Sequence, residues 1–228
     1  MWKALPRYKS KNNIAYYKVG KGPVLLLIHG VGLKAESWSA QIKSFSQNYT
    51  VFAIDLPGHG ESHNIKIDPK NLNSYIEEMK LFVNEIIHNS FIIIGHSFGA
   101  LIAINYAYKY KEKCKGIIAL NCIYERSDEA LKQVKLRLIE LKSENMNKVI
   151  ELTILRWFGK KPKGPLKDIS NTCKQWLLES NKEGYVNAYD IFANQRGIAK
   201  EVLKQIQVPI TFITGSADYI FNLIKKVF

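Results

Sequence analysis

The 228-residue sequence predicts an α/β fold built on a mostly parallel sheet. Three observations carry that expectation. Short, continuous apolar runs rich in β-branched residues have the character of strands buried on both faces. Stretches of helical periodicity alternate with them, as in successive βαβ units. A Gly-x-Ser-x-Gly sequence, Gly95-His96-Ser97-Phe98-Gly99, stands where one such run gives way to a helix-forming stretch.

In chain order, residues 7–19 read as a hairpin turning at Lys11-Asn12-Asn13, which supplies antiparallel edge strands. Residues 24–28, 51–54, 91–94, 117–120 and 208–213 are the buried strands, and residues 35–47, 72–87 and 98–110 are helices between them. After residue 122 the character changes. No strand-like run occurs before residue 208, whereas residues 130–141 and 149–158 repeat apolar positions at helical spacing. Residues 159–165, with two glycines and two prolines, read as a loop inside this region. The expected division is therefore a discontinuous core of residues 1–122 and 197–228, interrupted by a helical insertion at residues 123–196.

Composition sets the outer bounds. Hydrophobic residues at 46% and charged residues at 23% suit a soluble domain with a substantial core. No apolar stretch approaches the roughly 18 residues of a membrane span, and the N-terminus lacks a signal-type apolar region, so a cytoplasmic protein without a membrane partner is expected. The net charge of +13 is spread along the chain, with lysines and glutamates interleaved, and no nucleic-acid-binding module is visible. The three cysteines are too widely spaced for a metal or redox pair, and no metal or cofactor is expected.

The chemistry is expected at Ser97. Acyl transfer needs a nucleophile projected from a rigid corner, with amide N–H groups aimed at the oxyanion that forms on the substrate. A sharp strand-to-helix turn supplies both, and Gly95 and Gly99 let the helix approach the strand. His29-Gly30-Val31-Gly32 follows the first central strand, at the carboxyl ends where ligands bind in such sheets. Its turn can bring the Val31 N–H toward the point reached by the Phe98 N–H, making those two the expected oxyanion donors. A plain tight turn would use the same glycines. A third segment, Asp55-Leu56-Pro57-Gly58-His59-Gly60-Glu61-Ser62, follows the next strand.

HGxG, DxPGxGxS and GxSxG, in this order and spacing, resemble the α/β-hydrolase superfamily. Within it the chain is similar to cap-bearing esterases, enol-lactone hydrolases and carbon–carbon hydrolases. The resemblance implies a serine hydrolase of a small hydrophobic ester or lactone acting through an acyl-enzyme, with residues 123–196 as a cap. It also places the triad acid at Asp218, after the strand ending at Ile213, although an aspartate there would equally cap a turn. The triad histidine is expected some tens of residues later, and the sequence reaches Phe228 with no histidine after His96. His29 and His96 are assigned to loop geometry and packing, and neither they nor His59, His63 and His88 are expected to replace it. The resemblance further implies that the fold's last strand and helix are missing, which would leave residues 208–213 as an apolar edge prone to association.

The substrate pocket is expected to use Leu33, Trp38 and Phe98 beside the two loops, roofed by aromatics such as Trp157 and Tyr189 from the insertion. Impaired catalysis follows from the absent histidine. A non-catalytic binding protein for a small ligand on the same scaffold is the alternative.

Overall fold

The structure is a computed structural model that describes residues 6–68, 70–143 and 146–215. Among the described residues seven strands form one sheet in the order β1-β2-β4-β3-β5-β6-β7. The two N-terminal strands, β1 (Tyr8–Lys9) and β2 (Ala15–Val19), run antiparallel to each other, and β2 runs antiparallel to β4 (Thr50–Ile54). The turn between them uses Asn13 at φ 62°, a conformation that asparagine tolerates well. From β4 onward the sheet is parallel: β3 (Val24–Ile28), β5 (Phe91–His96), β6 (Cys114–Leu120) and β7 (Ile210–Ile213).

Continuous apolar strands are what two covered faces require, because successive side chains point to opposite sides. Leu26, Ile28, Phe52, Ile54 and Ile93 join the larger core, beneath α2 (Leu72–Ile86) and α3 (Phe98–Lys109). Leu25, Leu27, Val51, Ala53 and Ile94 face the smaller one, packed with Ala35, Trp38 and Ile42. Ala35 and Trp38 lie in a short 3₁₀ turn that leads into α1 (Ser39–Phe45). Every strand and helix expected before residue 122 is present within a few residues of its expected bounds.

Between β6 and β7 the chain is helical: α4 (Asp128–Lys142), α5 (Met146–Phe158), α6 (Pro165–Leu178), α7 (Lys182–Ala193) and α8 (Lys200–Gln205). Ser127 caps α4 by accepting the Ala130 N–H at 3.2 Å, and Asn181 caps α7 by accepting the Gly184 N–H at 2.7 Å. Pro165, expected at the end of a loop, is instead the first residue of α6, where its missing N–H costs nothing. Residues 208 and 209 lie outside β7, which starts at Ile210. The two linkers of the helical region pair with each other: Ile198 N–H donates to Tyr124 O at 2.9 Å and Arg126 N–H to Arg196 O at 2.7 Å. Among the described residues β7 pairs with β6 alone, and Ile213 is exposed.

Candidate active site

β5 ends and α3 begins with no intervening loop, and Ser97 is the residue between them. Its backbone sits at φ 54° and ψ −110°, a strained conformation for a residue with a Cβ. The corner is held from both sides: Ser97 N–H donates to Leu120 O at 2.8 Å, and Ser97 O accepts the Ala100 and Leu101 N–H groups at 3.0 and 3.2 Å. Close approach explains the flanking glycines. A Cβ on Gly95 would stand 2.4 Å from Gly99 O, and one on Gly99 would stand 2.4 Å from Ile28 O.

The 29–32 loop leaves β3 beside this corner. Gly30 lies against His96, close enough that a Cβ would meet His96 Nδ1 at 2.9 Å. Leu33 N–H closes the turn onto Gly30 O at 3.2 Å, and Gly32 adopts φ 77°. No hydrogen bond among the described residues engages the Val31 or Phe98 N–H. Helix α3 thus starts at Ser97 with an unengaged donor, the positive end of its dipole next to the hydroxyl.

Two histidines tie the loops together. His29 Nε2 accepts the Leu56 N–H at 3.0 Å while Nδ1 faces Gly30 O at 2.7 Å, so the ring is neutral with its proton on Nδ1. His59 repeats the arrangement: Nε2 accepts the Gly32 N–H at 3.0 Å, and Nδ1 faces Pro57 O at 3.0 Å. Burial holds His29 well below the usual histidine range, with the neighbouring His59 adding to the effect, and burial lowers His59 to about 4. Desolvation also brings His96 to about 4. His63 and His88 stand apart, the first exposed and contacting Gly60 O at 3.1 Å, the second also exposed just after α2.

Asp55 anchors the third loop. It is fully buried and pairs with Arg7, which also reaches Glu36, and it accepts the Ala35 N–H and Glu61 N–H, both at 2.8 Å. The helical region then closes on these loops. A Cβ on Gly32 would meet Leu177 and Tyr185 at 2.8 Å, and one on Gly184 would meet Gly58 O at 2.0 Å.

A cavity of about 230 Å³ opens beside the corner, lined by Leu33, Trp38, His96, Leu120 and one face of α6. That face is Ile169, Thr172, Cys173 and Trp176, spaced as neighbours on a helix surface. No charged side chain lines it. Leu33 and Trp38 line this cavity, as does Trp176 from the insertion, whereas Trp157, Tyr189 and Phe98 do not. Trp157 is exposed on α5, Tyr189 is buried against Tyr185 and Phe192, and Phe98 packs behind the site against Tyr75 and Phe192. Trp176 belongs to the aromatics of the insertion, but Ile169, Thr172 and Cys173 are not anticipated as a wall by the sequence. Cys173 is a free thiol that burial pushes up to about 11. Asp218 lies outside the described residues. Among those residues no group of His, Cys, Asp or Glu could hold a metal ion, and no helix is long and apolar enough to cross a membrane.

Comparisons with known proteins agree with this fold. The pattern of the family described as alpha/beta hydrolase fold matches residues 23–194. Over 210 residues the chain is 33% identical to (E)-2-((N-methylformamido)methylene)succinate hydrolase of Acinetobacter baylyi, spanning 92% of this chain and 78% of that protein. It is 30% identical over 231 residues to a pimeloyl-(acyl-carrier protein) methyl ester esterase of Wigglesworthia glossinidia brevipalpis, spanning 92% and 82%. The enol-lactonase of Burkholderia xenovorans LB400 superposes with a TM-score of 0.79 at 18% identity, over 92% of this chain and 81% of that one, a likeness of fold alone.

Proposed function

The chain belongs to the α/β-hydrolase family, and on that premise we propose that it is a serine hydrolase of small carboxylic esters or lactones, working through an acyl-enzyme on Ser97. The observation that carries this reading is the strained Ser97 at the head of α3. Its Oγ adds to the substrate carbonyl, its proton passes to a base, and the leaving alkoxide departs with that proton. The unengaged Val31 and Phe98 N–H groups hold the oxyanion, while Gly30 and Gly32 shape the loop that presents Val31. Residues 123–196 act as the cap over a core of residues 1–122 and 197–228. The neutral cavity of Leu33, Trp38 and Trp176 takes the apolar part of the substrate. The methyl ester in the name of the Wigglesworthia relative supports an ester bond as the target. A cytoplasmic setting suits three reduced, buried cysteines.

Asp218 is assigned as the acid that orients a histidine base. Within residues 1–228 no histidine fills the base role, because His29 and His59 accept amide protons and His96 is packed against Gly30. Residues 1–228 alone should therefore turn substrate over slowly, since triad members act as a unit and only the oxyanion hole and binding remain. The same commitment of the histidines supports a second reading, a non-catalytic holder of a small ligand. Ester turnover separates the two: the hydrolase reading requires that Ser97→Ala lower it, and the binding reading requires that a ligand raise thermal stability without being consumed.

A further inference from the structure

We propose that the turn between α5 and α6 is a docking surface for an anionic lipid bilayer, on which the protein sits peripherally. Such a surface contact needs no spanning stretch, and the lack of one is the ground on which no membrane partner is expected from the sequence.

The net charge of +13 is spread over the chain, yet at this turn it is of one sign. Residues 152–167 contain Arg156, Lys160, Lys161, Lys163 and Lys167 and no acidic residue. The four lysines are exposed, and three of them lie in the loop of residues 159–164 that joins the two helices. Each cation close to an anionic leaflet adds to the attraction, within a Debye length of roughly 10 Å at ordinary salt.

The same segment exposes large apolar side chains. Leu155 and Trp157, in the last turn of α5, are each 40% exposed, and Leu166 and Ile169, at the start of α6, are 47% and 39% exposed. Leu166 and Ile169 stand three residues apart, on one helix face. A bilayer interface accommodates both kinds of group, because apolar side chains enter the acyl boundary while lysine stems reach the lipid phosphates. A nucleic acid would match the lysines and leave the leucines in water. The turn also projects: a Cβ on Gly159 or Gly164 would meet nothing within 4 Å among the described residues, which suits a broad surface better than a groove.

The helices behind the turn are held together, since α5 and α6 pack against each other and Lys174 of α6 pairs with Glu151 of α5. α6 starts at the turn with Gly164 as its N-cap, which has no side chain to engage the first N–H groups, so the positive end of the helix dipole adds to the lysines. Further along α6, Ile169 belongs also to the wall of the cavity beside Ser97, followed by Thr172, Cys173 and Trp176. The docking surface thus adjoins the cavity, and docking requires no turnover at Ser97.

Co-sedimentation with vesicles tests this, comparing phosphatidylcholine alone with phosphatidylcholine containing roughly one-third phosphatidylserine at low salt. The anionic vesicles are expected to bind about tenfold or more tightly. Lys160→Gln, Lys161→Gln and Lys163→Gln together should weaken that binding on the order of 100-fold, about fivefold for each lysine. Trp157→Ala should weaken it about tenfold, as burial of the exposed part of its ring implies. All four positions are exposed, so the thermal transition should be retained. A control triple at exposed positions elsewhere, Lys21→Gln, Lys43→Gln and Lys111→Gln, should weaken binding far less. Equal binding to both vesicles, equal losses from the two triples, or no loss from Trp157→Ala would overturn the proposal. Tighter binding of polyuridylate than of the anionic vesicles would assign the lysines to nucleic acid, and a dimer in sedimentation velocity that Leu166→Ser dissolves would assign the apolar patch to a second copy; either result overturns it.

Discussion

Gly32 N–H points at His59 Nε2 across 3.0 Å, which makes a histidine of one loop the support for the backbone of another. Gly32 has φ 77° and is pressed from the other side by Leu177 and Tyr185, so the loop carrying Val31 is clamped between His59 and α6–α7. Replacing His59 by Ala would leave a buried amide donor without an acceptor and a void beside it. The expected loss is about 2–4 kcal/mol of unfolding free energy, measurable in urea.

Acid should loosen the same region. His59 and His96 stand at about 4 in the fold against 6.5 for a free histidine, and His29 is shifted in the same direction. Above pH 6.5 these groups are neutral in both states and stability is flat with respect to them. Between pH 6.5 and 4 the unfolded chain takes up protons that the folded chain refuses, so stability falls as pH falls, and the loss from His59 and His96 levels off below about 4. Each contributes a loss on the order of 3 kcal/mol, a large share of a typical total of roughly 5–15 kcal/mol. Thermal melts across this range should show the decline beginning near pH 6.5.

Glycine substitutions should sort by what a Cβ would strike. At Gly99 it would meet backbone oxygens of Ile28 and His29 at 2.4 and 2.5 Å, which cannot move without displacing β3 from α3. Gly99→Ala is expected to cost about 3 kcal/mol or more. At Gly159, φ is 75° but nothing lies within 4 Å, so Gly159→Ala should cost only the backbone strain, about 1 kcal/mol. Similar losses from both substitutions would contradict the close-approach account.

The core was legible because its signals are local. Residues 24–28 are apolar without interruption and are buried throughout as β3, and Gly95-x-Ser97-x-Gly99 lies between an apolar run and a helix-forming stretch, the context that marks a strand-to-helix corner. The helical region was less legible because its helices bury little. In α6 only Ser170, Cys173 and Leu177 are buried while Leu166, Ile169 and Leu178 are exposed, so the apolar pattern does not mark a single core face. Periodicity also leaves open which face meets a cavity. For that reason Trp157, Tyr189 and Phe98 are expected at the pocket but do not line the cavity, Trp176 is one aromatic of the insertion that does, and Cys173 is not anticipated.

The central claim is that Ser97 is the nucleophile, and peptide-level mass spectrometry after exposure to p-nitrophenyl acetate tests it directly. With no histidine base in residues 1–228, an activated ester should still acylate the corner serine, and deacylation should be slow. The expected result is one acetyl group on the peptide containing Ser97, absent from the Ser97→Ala protein. An unmodified Ser97 peptide, with the same lysine acetylation and the same ester turnover in both proteins, would contradict the account.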